Sequence, residues 1–417
     1  MSEILLKNAI KTNTRSYQKT DNWEYINYLD TGNLTENKIS EIVQLNPNID
    51  KIPSRAKRKV KIGDIIYSTV RPNQKHYGYI DKEYDNLLVS TGYVVIEPND
   101  KIINGKYLYY FLTQDSIITH LQTIAENTVA TYPSISPKDI EDLVIDLPEL
   151  NTQRKIAKVL SSYDDLIENN NKRIKILEEM AQKIYKEWFV DFKFPNHETA
   201  TFKQTALGKI PTDWEINKLS DFGETITGKT PSKNDDSNYG KEIPFIKTPD
   251  MHNGIFCLDT IEHLSLKGAN TQKNKFIPIG SICVSCIGTV GVVAITTKNS
   301  QTNQQINSVI PKNNFYREYL YFVCNNLKPT LKNLGANGAT MTNVNKNKFD
   351  NIQVAKPSDK LLQDFSQLLK PIFEQIKNLS LKNQTLKQTR DLLLPRLISS
   401  EIDVENMELC KFKYILD

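Results

Sequence analysis

The chain of 417 residues is 39% hydrophobic and 24% charged, an ordinary globular composition with material for two to four domains. Its 53 basic and 49 acidic residues leave a net charge of only +4, so bulk charge selects neither nucleic acid nor membrane, and any such site has to come from local gathering of basic residues. The odd count of five cysteines (Cys257, Cys283, Cys286, Cys324, Cys410), all in the second half, argues against a disulfide framework and fits a reducing compartment.

No apolar run approaches a membrane span, and MSEILLKNAIKTNTRSYQ lacks the apolar core of a secretion signal, so a cytoplasmic location is expected. Residues 1–148 mix short β-branched runs with turn signals. IIYSTV (Ile65 to Val70) and LLVSTGYVVI (Leu87 to Ile96) read as strands, and Lys106 to Ala125 as one helix. Strands and helices are segregated rather than alternating, which predicts an α+β domain.

Residues 149–192 read as one long helix, with Asn151 as N-cap after Pro148. Ile156, Tyr163, Asn170, Leu177 and Ile184 recur every seventh position, as do Leu160, Ile167, Ile174, Ala181 and Trp188, which is a coiled-coil seam. From Asn151 to Trp188 such a helix spans roughly 57 Å and cannot bury its stripe against itself. A partner lies 209 residues further on, in 358–400. Phe365, Ile372, Leu379, Leu386 and Leu393 form one row, and Leu369, Ile376, Asn383, Arg390 and Leu397 the other. Asn170 and Asn383 each place one amide in the seam, a device that fixes register. Ser358 is the expected N-cap, and Pro371 predicts a kink near Lys370.

Between the helices, 193–213 reads as a polar linker and 214–357 as a second mixed domain; 401–417 is a C-terminal tail. The halves repeat: KIGDIIYS (Lys61 to Ser68) answers PIGSICVS (Pro278 to Ser285), YLYYF (Tyr107 to Phe111) answers YLYFV (Tyr319 to Val323), and Ala130 to Pro148 answers Ala339 to Pro357. The expected fold is thus two mixed α/β domains in tandem, each followed by a long helix. The helices pair as an antiparallel coiled coil with pseudo-two-fold symmetry.

The run KIPSRAKRKVK gathers Lys57, Arg58 and Lys59, with Arg71 and Lys75 shortly after, a cluster suited to phosphates but also to a merely solvated loop. In the second half, Lys229, Lys233 and Lys247 accompany the amide-rich SQTNQQIN, where Gln304 and Gln305 are candidates for adenine recognition. Gly223 to Thr230 (GETITGKT) matches the P-loop expression, but its lead-in is half polar and Pro231 onward cannot start the helix the mechanism requires. Cys283 and Cys286 form a lone CxxC on an expected strand, matched by Ile66 and Thr69 in the first half, which argues packing rather than metal. No catalytic constellation emerges.

LPELNTQRKIAKVLSSYDDLIENNNKRIKILEEMAQKIYKEWFVDF (Leu147 to Phe192), WEINKLSDF, TGKTPSK and IPFIKTPDM (Trp214 to Met251), NQQI (Asn303 to Ile306) and LLLPRLISSEI (Leu392 to Ile402) together resemble the specificity subunit of type I restriction-modification systems. The resemblance implies that each domain reads one half of a bipartite double-stranded DNA target, with the helix pair setting the spacer and docking two modification (methyltransferase) subunits. It further implies restriction (translocase and endonuclease) subunits as partners, with AdoMet, ATP and Mg on those partners and no cofactor, metal or catalysis in this chain. The first half departs from the pattern by opening on ILLKNAI rather than on a tryptophan-led strand. A non-catalytic protein–protein adaptor without DNA specificity is the competing hypothesis, favoured by the near-balanced charge. Steep loss of DNA binding with salt separates the two.

Overall fold

The computed structural model describes residues 2–127, 132–336 and 342–404. The tail from 405 on, with Cys410, lies outside the described residues, as do the first residues of the repeated segments at 130 and 339. The fold is α+β and divides into two compact units, Met1–Ile167 with Thr385–Asp417, and Glu168–Gln384.

In the first unit, one four-stranded sheet runs Val43–Leu45, Ile26–Leu29, Leu87–Ser90, Ala56–Lys59, and a second runs Ile10–Thr12, Tyr93–Pro98, Ile65–Ser68, Tyr77–Tyr79. The stretch expected as one strand over 87–96 is therefore two strands in different sheets. Thr91 and Gly92 make the break, and the Gly92 N–H turns back to Ser90 Oγ (3.3 Å). The helix expected over Lys106 to Ala125 is likewise two, Gly105–Leu112 and Asp115–Glu126, with Gln114 extended between them. The apolar phase explains it. Leu108 and Leu112 share one face, but Ile118, Leu121 and Ala125 fall on another unless the helix is interrupted, and all five are buried in one core.

The second unit holds a five-stranded sheet (Gly223–Thr227, Ile306–Pro311, Ile282–Ser285, Val293–Thr296, Phe256–Cys257) and a three-stranded one (His263–Leu264, Tyr239–Ile246, Gln301–Thr302). Its helices Arg317–Asn326 and Lys328–Gly335 answer the split pair of the first unit.

Both units close in the same way. Ser2–Leu5 pairs antiparallel with Val144–Leu147, and Glu215–Lys218 with Gln353–Lys356. Just beyond, Leu6 N–H donates to Leu143 C=O and Leu219 N–H to Ile352 C=O, both at 2.9 Å, and both leucines are fully buried. ILLKNAI thus does supply the opening strand; the first half lacks only the tryptophan. Each ribbon returns the chain to the base of its own long helix.

The segment at 193–213 is not an unstructured linker. It carries the hairpin Phe202–Thr205 with Gly208–Pro211, and buried Phe194, Ile210 and Trp214 belong to one core. Aromatic burial explains the order: Phe192, Phe194 and Phe189 each lie within 6 Å, centroid to centroid, of the Trp214 ring.

The long helices are Leu150–Phe189 and Asp359–Ile398. The first begins one residue before the expected cap, because Glu149 C=O already accepts the Gln153 N–H at 3.0 Å and Asn151 sits inside the first turn. Ser358 does cap the second, its Oγ accepting from Leu361 N–H at 3.3 Å. The second helix neither ends nor restarts at Pro371. Pro371 removes one donor, but it and Gln367, whose carbonyl loses that bond, are both exposed, so water can satisfy the orphan.

Within the first unit, the opening of the first helix (Ile156, Leu160 and Tyr163 buried, Ile167 half-buried) packs in one core with the end of the second (Leu386, Leu394, Leu397, Ile398, and half-buried Leu393). Within the second unit the order is reversed. Ile174, Leu177, Ala181, Ile184 and Trp188 share a core with Leu362, Phe365, Leu369, Ile372, Phe373 and Ile376, so the helices run antiparallel. Leu379 is also buried, and Asn170 Nδ2 donates to Asn383 Oδ1 at 2.8 Å. Near its ends the apolar face broadens beyond the seam, to Ala157 and Val159 at one and Tyr185 and Phe189 at the other, where the helix also serves a domain core.

Candidate nucleic-acid interface

The basic strand Ala56–Lys59 sorts its cations by the alternation of a strand. Lys57 is exposed. Arg58 turns inward, one nitrogen donating to Thr91 C=O at 3.4 Å while Nε and the other terminal nitrogen are buried without a partner, and burial lowers its pKa. Lys59 is engaged within the domain: Nζ meets Asp21 Oδ1 at 2.6 Å and lies 5.1 Å from the Trp23 ring centroid. The hydrogen bond from Lys59 is the main reason the Asp21 pKa is lowered.

Arg71 and Lys75 flank the turn Pro72–Gln74, both with left-handed backbone (φ 47° and 57°). Lys75 Nζ meets Asp115 Oδ1 at 2.8 Å and lies 3.9 Å from Glu36. Glu36 also meets Lys387 on the second long helix at 3.0 Å, which ties the hairpin Leu34–Thr35 with Lys38–Ile39 to that helix. Arg71 is exposed and lies over the ring of Tyr132.

In the second unit, the P-loop look-alike is a strand, Gly223–Thr227, followed by coil, so no helix N-terminus faces Lys229 and Thr230. The loop instead lies against the amide-rich stretch. Lys229 N–H donates to Thr302 C=O (2.9 Å), and Thr230 Oγ1 donates to Gln304 Oε1 (2.6 Å). Buried Gln301 and Gln272 act as struts: Gln272 Nε2 reaches Lys229 C=O (2.7 Å) and Gln301 Oε1 (2.8 Å), and Gln301 Nε2 reaches Ala269 C=O (2.9 Å). Within NQQI, Asn303 is buried and takes the Gln305 N–H at 3.1 Å, leaving Gln304 exposed and Gln305 half-buried. Lys229 and Lys233 are exposed on the loop whose Thr230 bonds Gln304, whereas Lys247 is half-buried and paired with Glu262 over the Phe245 ring.

Of the ten candidates, the structure thus gathers Lys229, Lys233, Gln304 and Gln305 on one loop pair, and turns Arg58, Lys59, Lys75 and Lys247 to partners inside their own domains. Sequence reasoning missed Tyr132, which is 62% exposed. It also missed Gln153, a buried side chain that binds Asn104 N–H, Ile102 C=O and Pro148 C=O and so holds the domain to its helix. Cys283 and Cys286 sit on and just after a fully buried strand, where burial pushes their thiols up to about 12 and about 11. Among the described residues no group of three His, Cys, Asp or Glu is placed to hold a metal ion, and no helix is long and apolar enough to cross a membrane.

The profile of the family described as "Type I restriction modification DNA specificity domain" matches residues 2–179 and again 211–388. The HindI specificity subunit of the type I restriction enzyme of Haemophilus influenzae is 36% identical, over 90% of this chain and 94% of that one. The MjaIX specificity subunit of Methanocaldococcus jannaschii is 27% identical, over 93% of this chain and 85% of that one. Among solved structures, the S subunit of a type I restriction-modification system from M. genitalium superposes with a TM-score of 0.58 over 95% of both chains at 13% identity, a likeness of fold alone.

Proposed function

The chain belongs to the type I restriction-modification DNA specificity family, and from that membership we propose how its two units divide the work. It is a specificity subunit whose two domains recognise the two halves of a DNA target. Each domain reads its half of a bipartite double-stranded sequence, and the antiparallel helix pair sets the unread spacer between them. The outer faces of the helices dock two modification subunits, and restriction subunits join that assembly. Exposed Ile176 and Met180, one turn apart on the first helix, support this docking role. AdoMet, ATP and Mg belong to those partners; this chain is non-catalytic and works in the cytoplasm.

The observation that carries this reading is the matched construction of the units: the same closing ribbon, the same split helix pair and the same return to a long helix. The test is a map of N6-methyladenine in a host expressing this chain with its modification subunit, with and without residues 194–357 exchanged for another such domain. A split motif in which one half alone changes is expected. A motif indifferent to the exchange would remove DNA reading from the second domain.

A further inference from the structure

Both domains carry the same loop at the same place. After strand Ile65–Ser68, Arg71 N–H donates to Pro133 C=O (3.0 Å), Ile135 N–H to Thr69 C=O (2.8 Å) and Ser68 N–H to His76 C=O (2.9 Å). After strand Ile282–Ser285, Gly288 N–H donates to Thr342 C=O (3.1 Å), Val344 N–H to Cys286 C=O (2.9 Å) and Ser285 N–H to Val292 C=O (2.9 Å). This bonding equates Arg71 with Gly288 and Lys75 with Gly291, and all four are left-handed, with φ of 47°, 72°, 57° and 80° in that order. One domain fills both positions with glycine, which adopts this backbone without penalty; the other places two long cations there and bears the strain.

The two cations differ. Lys75 is accounted for by Asp115 and Glu36, which hold the loop down. Arg71 has no carboxylate partner among the described residues. Its guanidinium lies 5.8 Å from the centroid of the Tyr132 ring, a ring that is itself 62% exposed. Both side chains are exposed, so the guanidinium fork is open to solvent beside the ring, and that fork matches the O6 and N7 acceptors of guanine. A phosphate contact would need charge alone, and neither the strained backbone nor the ring beneath the cation. Exposed Asn73 and Gln74 lie in the same turn.

We propose that Arg71, lying over the Tyr132 ring, is a specificity-determining residue of the first domain that reads a guanine of its half-site in the major groove. The assignment rests on the DNA-reading function proposed above. At the equivalent place the second domain has Gly288, so its reading must come from elsewhere, with the Lys229 to Lys233 loop beside Gln304 the available surface.

The test uses the full chain in complex with its modification subunit, as wild type, Arg71→Gly and Arg71→Lys. Glycine suits the left-handed backbone, so folding is preserved; lysine keeps the charge but loses the fork. Binding is measured on duplexes carrying the mapped target, with each guanine of the first half-site replaced in turn. Both variants are expected to lose discrimination at one guanine by roughly ten- to a hundred-fold, with the second half-site read as before. If Arg71→Lys keeps that discrimination, if both variants weaken all duplexes alike, or if the first half-site contains no guanine, the proposal is overturned. A wild-type complex with no sequence preference would instead sink the DNA-reading function itself.

Discussion

Asn170 Nδ2 donates to Asn383 Oδ1 at 2.8 Å, and Asn383 Nδ2 returns a 2.9 Å bond to Asn171 Oδ1, in a seam built mostly from apolar side chains. Sliding either helix by a heptad would break both bonds. The bonds therefore select one register, and whatever distance the helices set is set by that register.

Replacing Asn383 alone by leucine strands the Asn170 amide, which is 4% exposed, and should cost about 1–3 kcal/mol in urea denaturation. Replacing Asn170 and Asn383 together by leucine should be neutral or stabilising, because both partners leave at once. The double variant should pay in specificity: its methylation map should show more than one spacer length. A single unchanged spacer would show that the domain cores alone fix the register.

Asp164 accepts from Tyr110 Oη at 2.5 Å and pairs with Arg390, which also binds Asp391 at 2.7 Å. Arg390 stands in a row where leucine or isoleucine would be expected, and it is there because the partner carboxylate is on the facing helix. Asp164→Ala should destabilise the chain by about 2–3 kcal/mol, less than a fully buried pair would lose because Asp164 is 34% exposed. Tyr110→Phe should cost about 1 kcal/mol. Urea midpoints of the two variants and their combination would expose any coupling.

Much of this architecture is legible in the residue order. The seven-residue repeat, the 209-residue offset and the paired segments around Ile65 and Ile282 need only the sequence, because helix pairing and domain duplication are written in local period and in self-similarity. The fate of individual cations is not. Lys57 and Lys59 are neighbours in one basic run, yet one is exposed and the other meets Asp21, 38 residues away. The same holds for SQTNQQIN, where Gln301 is a buried strut and Gln304 is exposed. Aligning VRPNQK against IGTVG in the two halves was the one sequence signal that could have drawn attention to Arg71, since glycine opposite arginine at a turn hints at a left-handed backbone.

Glu178, on the first long helix, lies against the Gly254–Ile255 backbone of the second domain, whose Ile255 N–H favours its charged form. Burial raises its pKa above the ordinary glutamate value, and the Ile255 N–H offsets only part of the rise. The folded chain then holds this proton more tightly than the unfolded chain. The stability the group lends is complete below the unfolded pKa and is lost as pH rises through the folded one. Glu178→Gln keeps an acceptor for Ile255 without the charge, so the variant should be the more stable protein at about pH 8 and the difference should close toward about pH 4. Parallel urea curves with a constant offset across that range would contradict the assignment.

Pro371 sits at an exposed position inside the unbroken helix Asp359–Ile398. Pro371→Ala restores the bond to the Gln367 carbonyl and removes the ring, and should stabilise the chain by about 1–3 kcal/mol, up to the full propensity difference. Thermal melts of the two proteins decide it. A loss of stability would mean that the proline shapes the helix for its partner across the seam.

The cations divide by what already satisfies them, and salt dependence should report the division. Lys229 and Lys233 are exposed on the loop beside Gln304, while Lys59 and Lys247 face Asp21 and Glu262. A lysine at a phosphate releases counterions on binding, so removing it should lower the slope of log affinity against log salt by about 0.9 per contact, with the loss shared across all sequences. Lys229→Ala with Lys233→Ala should therefore flatten the slope by up to about 2 units and weaken target and non-target duplexes alike. Lys59→Ala and Lys247→Ala should leave the slope unchanged and lower thermal stability instead, since each removes an ion pair within its domain. If the slope falls for Lys59 or Lys247 and holds for the loop pair, those lysines rather than Lys229 and Lys233 contact the phosphates.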